Sequence, residues 1–141
     1  MNACSVVSHP PVSLAPCPRR LLVVEDDRDM RPIFGAIVDS FASHLLLDWA
    51  ESVPIAMDRM NRQTYDLVVA DFLLDGCGSG LTLKNWCDYN HPTTRFVMMS
   101  AFPIAEALVG ANPPSAFLRK PFTLAQLRRF LAGQLMGALV R

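Results

Sequence analysis

The chain has 141 residues, 51% of them apolar, and its 13 basic and 13 acidic residues give a formal net charge of zero. This length predicts a single domain whose core needs no disulfide or metal staple. The balanced charge excludes a broad electrostatic attraction to nucleic acid or to an anionic membrane surface. The four cysteines show no CxxC spacing, so we interpret them as reduced thiols of a cytoplasmic protein.

The first 19 residues differ in composition from the rest of the chain. Four prolines lie there among serines and cysteines without any periodicity, a pattern that is typical of disorder. No basic segment precedes an apolar run, and no apolar stretch is long enough to span a membrane. We therefore expect residues 1–19 to be a disordered extension, or to precede the true translation start, and residues 20–141 to form the folded domain.

Short apolar runs alternate with amphipathic helical segments from residue 20 onward. Runs such as 67–70 are too short for stable helices and are rich in β-branched residues, which is typical of strands buried on both faces. The predicted strands are 21–24, 45–47, 67–70, 95–101 and 115–118, and the predicted helices are 29–41, a helix capped by Ser52, 81–89, 104–109 and a helix capped by Thr123. This alternation predicts a parallel sheet covered by helices on both faces.

Apolar residues in the helical segments recur at the spacing of one helix face. The methionines of the second helix fill the core at this spacing, and we do not interpret them as metal ligands. The predicted buried residues of the first, second and last helices are Ile33, Ile37 and Phe41; Ala56, Met57 and Met60; and Leu124, Leu127, Leu131 and Leu135.

Polar side chains follow four of the five predicted strands. Glu25 and Asp26 follow the first strand, Asp71 the third, Ser100 ends the fourth, and Lys120 comes after the fifth. Because the carboxyl ends of parallel strands share one edge of a sheet, these groups are expected to converge there. Two carboxylates about 4 Å apart repel by roughly 4 kcal/mol at an effective dielectric constant of 20. A divalent cation such as Mg²⁺, together with the lysine, would balance the three acids.

Four motifs resemble those of one known family. They are Leu-Val-Val-Glu-Asp-Asp at 22–27, Tyr-Asp-Leu-Val-Val-Ala-Asp at 65–71, Met-Ser-Ala at 99–101 and Phe-Leu-Arg-Lys-Pro-Phe at 117–122. In this order and spacing the chain resembles the receiver domain of two-component response regulators from about residue 20 to 137. The resemblance implies a flavodoxin-like (βα)5 fold with sheet order 2-1-3-4-5. Because no output segment follows the last predicted helix in the sequence, we expect a single-domain regulator without an output domain.

The resemblance also implies a chemistry for the acidic residues. Asp71 matches the phosphoacceptor, which takes a phosphoryl group from a histidine kinase, a phosphotransfer protein or a small phosphodonor. Glu25 and Asp26 match the acids that hold Mg²⁺ with Asp71, and the backbone carbonyl of Leu73 is a further expected ligand. For Asp27 we favour a solvated acid at the start of a helix over a metal ligand.

Three further positions match the switching machinery of the family. Lys120 would neutralise the phosphoryl oxygens, and its peptide bond to Pro121 is expected to be cis. Ser100 would hydrogen-bond to the phosphoryl group and move toward it. Phe117 occupies the aromatic position whose rotamer follows that movement, although a plain core role is an equal alternative. The result would be a two-state switch in the packing around the fourth and fifth strands.

Three departures from the family pattern affect the expected output. The loop after Asp71 has Asp75 where many members have proline, and Gly78 makes it one residue longer. The interval from Ser100 to residue 120 is short, which predicts a short helix at 104–109. Apolar residues two positions after Asp71 and Ser100, Leu73 and Phe102, are expected to screen an acyl phosphate from water and to prolong its life.

The expected partners follow from the same resemblance. They are a histidine kinase or phosphotransfer protein, and a downstream protein bound through the predicted 104–109 helix, fifth strand and last helix. Ile104, Leu108 and Val109 would contribute apolar surface to that face. Neither nucleic acid nor membrane is an expected direct partner, and homodimerisation stays open.

Two other classes of function are alternatives. A haloacid-dehalogenase-like phosphatase also has an aspartate nucleophile after a strand, but it needs a second aspartate where this chain has Leu73. A pseudo-receiver that binds partners without phosphorylation is the main alternative, and the intact set of pocket residues argues against it.

Overall fold

The computed structural model describes residues 18–41, 44–74, 76, 78–103 and 112–136. In these ranges the chain forms β1 (Arg19–Val24), α1 (Met30–Asp39), β2 (Leu45–Ala50), α2 (Val53–Arg62), β3 (Leu67–Asp71), α3 (Gly80–Asn90), β4 (Arg95–Ser100), β5 (Ala116–Arg119) and α4 (Leu124–Met136). The helix predicted at 104–109 and the extension up to residue 17 lie outside the described residues. No helix in the described ranges has the length and apolar character needed to cross a bilayer.

The five strands form one parallel sheet in the order β2-β1-β3-β4-β5, as predicted. The apolar runs of β1 and β3 take the central positions because their side chains are buried on both faces. The register aligns the strand ends that matter for the site. Val24 pairs with Ala70, Asp71 with Met99, and Ser100 with Arg119.

Alternating side chains of the central strands enter two separate cores. One core contains Leu21 and Val23 of β1 and is covered by α1 and α4. The other contains Leu22 and Val24 and is covered by α2 and α3. The period of two along each strand therefore places helices on both sheet faces, which is the doubly wound arrangement predicted from the sequence.

Side-chain caps set the starts of three helices. Ser52 accepts a hydrogen bond from the amide of Ile55 at the start of α2, as predicted. Ser79 and Thr82 form a reciprocal capping box at the start of α3. Thr123 and Gln126 exchange the equivalent pair of bonds before α4.

Two sequence predictions need correction. The strand predicted at 45–47 continues to Ala50, because the carboxylate of Asp48 is satisfied inside the fold by the side chains of Tyr65 and Gln63, at 2.6 Å each. Burial of Tyr65 and its hydrogen bond to Asp48 raise the pKa of its phenol to about 12. The predicted burial of Leu124 is wrong. This residue is 54% exposed, because it is the first residue of α4 and the buried stripe begins one turn later.

Candidate functional site

The ends of the parallel strands bring four predicted polar groups to one edge of the sheet. Glu25 follows β1, and its amide donates to the carbonyl of Ala50 at 3.0 Å. Asp71 and Ser100 are the last residues of β3 and β4. Lys120 follows β5, and its amide donates to the carbonyl of Ser100 at 2.9 Å. Backbone hydrogen bonds of the sheet thus hold the residues that carry these side chains.

Three carboxylates cluster at this edge. One oxygen from each of Glu25, Asp26 and Asp71 lies within 4.8 Å of the others. Glu25 is 1% exposed and Asp71 is 9% exposed, whereas Asp26 is half-buried and open to solvent. The predicted convergence of the three acids is confirmed.

Lys120 bridges two of these acids. Its Nζ donates to Glu25 Oε2 at 2.7 Å and to Asp71 Oδ2 at 3.0 Å. The Lys120–Pro121 peptide bond is cis, as the resemblance implied. The lysine therefore joins the ends of β1, β3 and β5 through one ammonium group.

The second oxygen of Glu25 is held by its own chain. Glu25 Oε1 accepts a hydrogen bond from the amide of Asp27 at 3.1 Å. The side chain of Asp27 is exposed, and its Oδ1 accepts a hydrogen bond from the amide of Asp29 at 2.9 Å. Asp27 therefore shapes the approach to α1, in agreement with the interpretation favoured from the sequence.

Burial dominates the electrostatics of the pocket. Loss of solvent raises the pKa of Glu25 to about 7, the charge of Asp71 adds to this, and the hydrogen bonds from Lys120 and Asp27 offset part of it. Burial opposes the charge of Lys120 as well, but its bonds to both acids outweigh that effect and raise its pKa. The single ammonium of Lys120 is thus shared between Glu25 and Asp71. The half-open set of hard oxygen donors fits a divalent cation such as Mg²⁺.

The remaining predicted residues surround the acidic cluster. Ser100 is 5% exposed, and its hydroxyl accepts from the amide of Phe102 at 3.0 Å. The amide of Leu73 faces Asp71 Oδ1 at 3.4 Å. Leu73, Phe102 and Phe117 are 55%, 60% and 45% exposed. The alternative that Phe117 is a plain core residue is therefore wrong.

Gly80 is a site residue that the sequence interpretation did not single out. Its amide donates to the carbonyl of Phe72 at 3.1 Å and closes the loop that follows Asp71. A Cβ at position 80 would lie 2.3 Å from the carbonyl oxygen of Asp71. The signal available in the sequence was a glycine directly after the helix-capping Ser79.

The parallel sheet is doubly wound and carries a lysine-bridged acidic pocket at its carboxyl edge. These features define a flavodoxin-like α/β protein. The response regulator receiver domain model matches residues 21–132, so the chain belongs to that family. Over 118 residues it is 30% identical to the response regulator protein PilR of Pseudomonas aeruginosa, an alignment that covers 81% of this chain. The chain spans 25% of the length of PilR.

Solved structures show the same fold. The receiver domain of NtrX from Brucella abortus is 27% identical to this chain and superposes with a TM-score of 0.70. The alignment covers 82% of this chain and 98% of that one. The signal receiver domain of an HD domain-containing protein from Pseudomonas fluorescens is 16% identical, with a TM-score of 0.76 over 91% of this chain and 94% of that one. The predicted fold and family are confirmed.

Proposed function

We propose that this receiver domain accepts a phosphoryl group on Asp71 from a histidine kinase, a phosphotransfer protein or a small phosphodonor. The observation that carries the proposal is the contact of Asp71 with Lys120 at 3.0 Å, beside two further carboxylates. A nucleophilic carboxylate needs a neighbouring cation to let an anionic donor approach, and the lysine supplies one. The domain's own chemistry is then limited to gaining and losing its phosphoryl group.

The transfer is a displacement at phosphorus. A carboxylate oxygen of Asp71 forms a new P–O bond, while the bond from phosphorus to the donor breaks and its electron pair leaves with the imidazole or carboxylate of the donor. The product is an acyl phosphate on Asp71. Water later attacks this group, which returns the free carboxylate and inorganic phosphate. Lys120 lies where its ammonium would stabilise the negative charge of the phosphoryl oxygens.

A magnesium ion is proposed as the cofactor. The carboxylates of Glu25, Asp26 and Asp71 would hold it, together with the backbone carbonyl of Leu73. When bound, the ion supplies positive charge to the phosphoryl oxygens during transfer. The burial of Glu25 and its bonds to Lys120 and the amide of Asp27 keep this carboxylate oriented toward the pocket.

The proposed output is a change in the surface around β4 and β5. The hydroxyl of Ser100, which now accepts from the amide of Phe102, would donate a hydrogen bond to a phosphoryl oxygen and move toward it. Ser100 is also joined to Lys120 through the backbone, so a shift at the end of β4 reaches β5 directly. The half-exposed Phe117 on β5 would change its packing, and a downstream protein would bind the altered face.

Chemical trapping tests the assigned residue. Borohydride reduces an acyl phosphate to an alcohol, so treatment of the phosphorylated chain should convert Asp71 to homoserine, and peptide mass spectrometry should locate the change. Asp71→Asn should give no converted peptide. Asp58→Asn is the matched control, because Asp58 is an exposed acid paired with Arg62 on α2, and its trapping should equal that of the wild type. Conversion at another acid would refute the assignment.

A further inference from the structure

Gly80 packs directly against the backbone of the proposed phosphoacceptor. It is the buried first residue of α3, and its amide donates to the carbonyl of Phe72 at 3.1 Å. A Cβ built at this position lies 2.3 Å from the carbonyl oxygen of Asp71, 3.0 Å from its carbonyl carbon and 2.8 Å from Met98 Sδ. The absence of a side chain therefore allows the start of α3 to touch the end of β3.

The two close contacts differ in how easily they can be relieved. A carbon and a carbonyl oxygen approach to about 3.3 Å, so a Cβ at position 80 would have to move from the oxygen of Asp71 by about 1 Å. The Met98 side chain can rotate. The peptide that follows Asp71 cannot, because the amide of Phe72 is bonded to the carbonyl of Met99 at 2.8 Å.

We propose that Gly80 is a positioning residue for the acceptor carboxylate. The inference rests on the proposed function and adds a residue to it. Any larger residue at position 80 would push α3 and Asp71 apart. That push would change the 3.0 Å contact of Asp71 with Lys120 and the spacing of the three acids. The same displacement would move Leu73, which lies on the loop that the Phe72–Gly80 bond closes.

The rate of phosphorylation measures this positioning. Full-length wild type and Gly80→Ala are compared at saturating acetyl phosphate and Mg²⁺, at a temperature where circular dichroism shows both to be folded. Misplacement of a reacting group by about 1 Å costs up to about 100-fold, so we expect a rate loss of about 10- to 100-fold. A Gly80→Ala rate equal to that of the wild type would overturn the proposal.

Two control variants separate positioning from general effects. Gly133→Ala makes the same substitution inside α4, where a Cβ meets no atom within 4 Å, and its rate should be unchanged. Leu131→Ala removes a fully buried side chain of α4 and lowers stability without touching the acidic pocket. It should keep the wild-type rate below its melting temperature, and a loss equal to that of Gly80→Ala would overturn a specific role for Gly80.

A double variant identifies the contact that matters. If the backbone of Asp71 is the obstacle, Gly80→Ala combined with Met98→Ala should stay as slow as Gly80→Ala alone. Recovery to the rate of the single Met98→Ala variant would place the obstacle at the methionine sulfur and overturn the proposal.

Magnesium binding distinguishes failure of this inference from failure of the proposed function. If the wild type binds Mg²⁺ but takes no phosphoryl group, the proposed function fails. The rise in melting temperature with Mg²⁺ then decides the role of Gly80: a smaller rise in Gly80→Ala than in the wild type supports it, and an equal rise overturns it. A wild type with neither property overturns both proposals.

Discussion

Replacement of Lys120 by methionine tests the charge balance of the pocket. The variant keeps an unbranched apolar chain and removes the ammonium that bridges Glu25 at 2.7 Å and Asp71 at 3.0 Å. At an effective dielectric constant of 20, the attraction is about 6 kcal/mol for the shorter contact and slightly less for the longer one. Much of this offsets the desolvation of the ammonium itself. Removing one partner of a buried pair typically costs about 3–5 kcal/mol.

The side chain of Lys120 is 21% exposed, which places the expected loss at the lower end of that range. We predict that Lys120→Met lowers the free energy of unfolding by about 3 kcal/mol at neutral pH without metal. Added Mg²⁺ should return part of this loss, because the ion supplies positive charge to the acids that the variant leaves uncompensated. Urea denaturation with and without Mg²⁺ measures both effects.

Lys84→Met is the matched control for this experiment. Lys84 is also buried, with a side chain that is 4% exposed, but its partner is Asp88 on the same helix. This variant should lose stability as well, and Mg²⁺ should return none of the loss beyond its effect on the wild type. A Lys120→Met variant as stable as the wild type, or an equal effect of Mg²⁺ on the two variants, would refute a charge-balancing role for Lys120.

Three further predictions concern the lifetime of the acyl phosphate and two buried side chains, Tyr65 and Cys87. Polar substitution of both Leu73 and Phe102, exposed apolar residues that follow Asp71 and Ser100, should speed the loss of phosphate, and an unchanged lifetime would contradict the screening role. In a Tyr89→Phe variant, the tyrosinate absorbance of Tyr65 should have its midpoint near pH 12 rather than 10. Because folding raises this pKa, the contribution of Tyr65 to the free energy of unfolding is complete below pH 10 and is lost as the pH rises to 12. A pH series of unfolding measurements would show this loss. Burial raises the pKa of Cys87 to about 12, so iodoacetamide at pH 8 should label it only in urea, and labelling in the folded state would refute its protection.

The alternation and order of the elements were accessible from the sequence because they depend on local patterns. Apolar runs of four or more residues predicted the central strands, and capping residues such as Ser52 marked the helix starts. The end of β2 could not be predicted from the sequence. Asp48 has the appearance of a strand terminator, and only its contacts with Tyr65 and Gln63, 17 and 15 residues away, allow it to continue the strand.

The polar residues of the site could be predicted from the sequence. Parallel strands place their ends at one edge, so the convergence of Asp71 and Lys120 follows from topology. Topology alone does not predict which of these side chains are in contact. The bridging of Glu25 by Lys120, the outward position of Phe117 and the contact between Gly80 and Asp71 depend on side-chain placement and backbone packing that no spacing rule specifies.

The proposed function requires that Asp71 accepts a phosphoryl group in a reaction that needs Mg²⁺. Intact mass spectrometry of the wild type and Asp71→Asn, after incubation with acetyl phosphate in the presence of Mg²⁺ or of excess chelator, tests it most directly. We expect one phosphoryl adduct on the wild type with Mg²⁺, and none on the variant or in the chelated sample. An adduct of equal yield on Asp71→Asn, or on the wild type without metal, would contradict it.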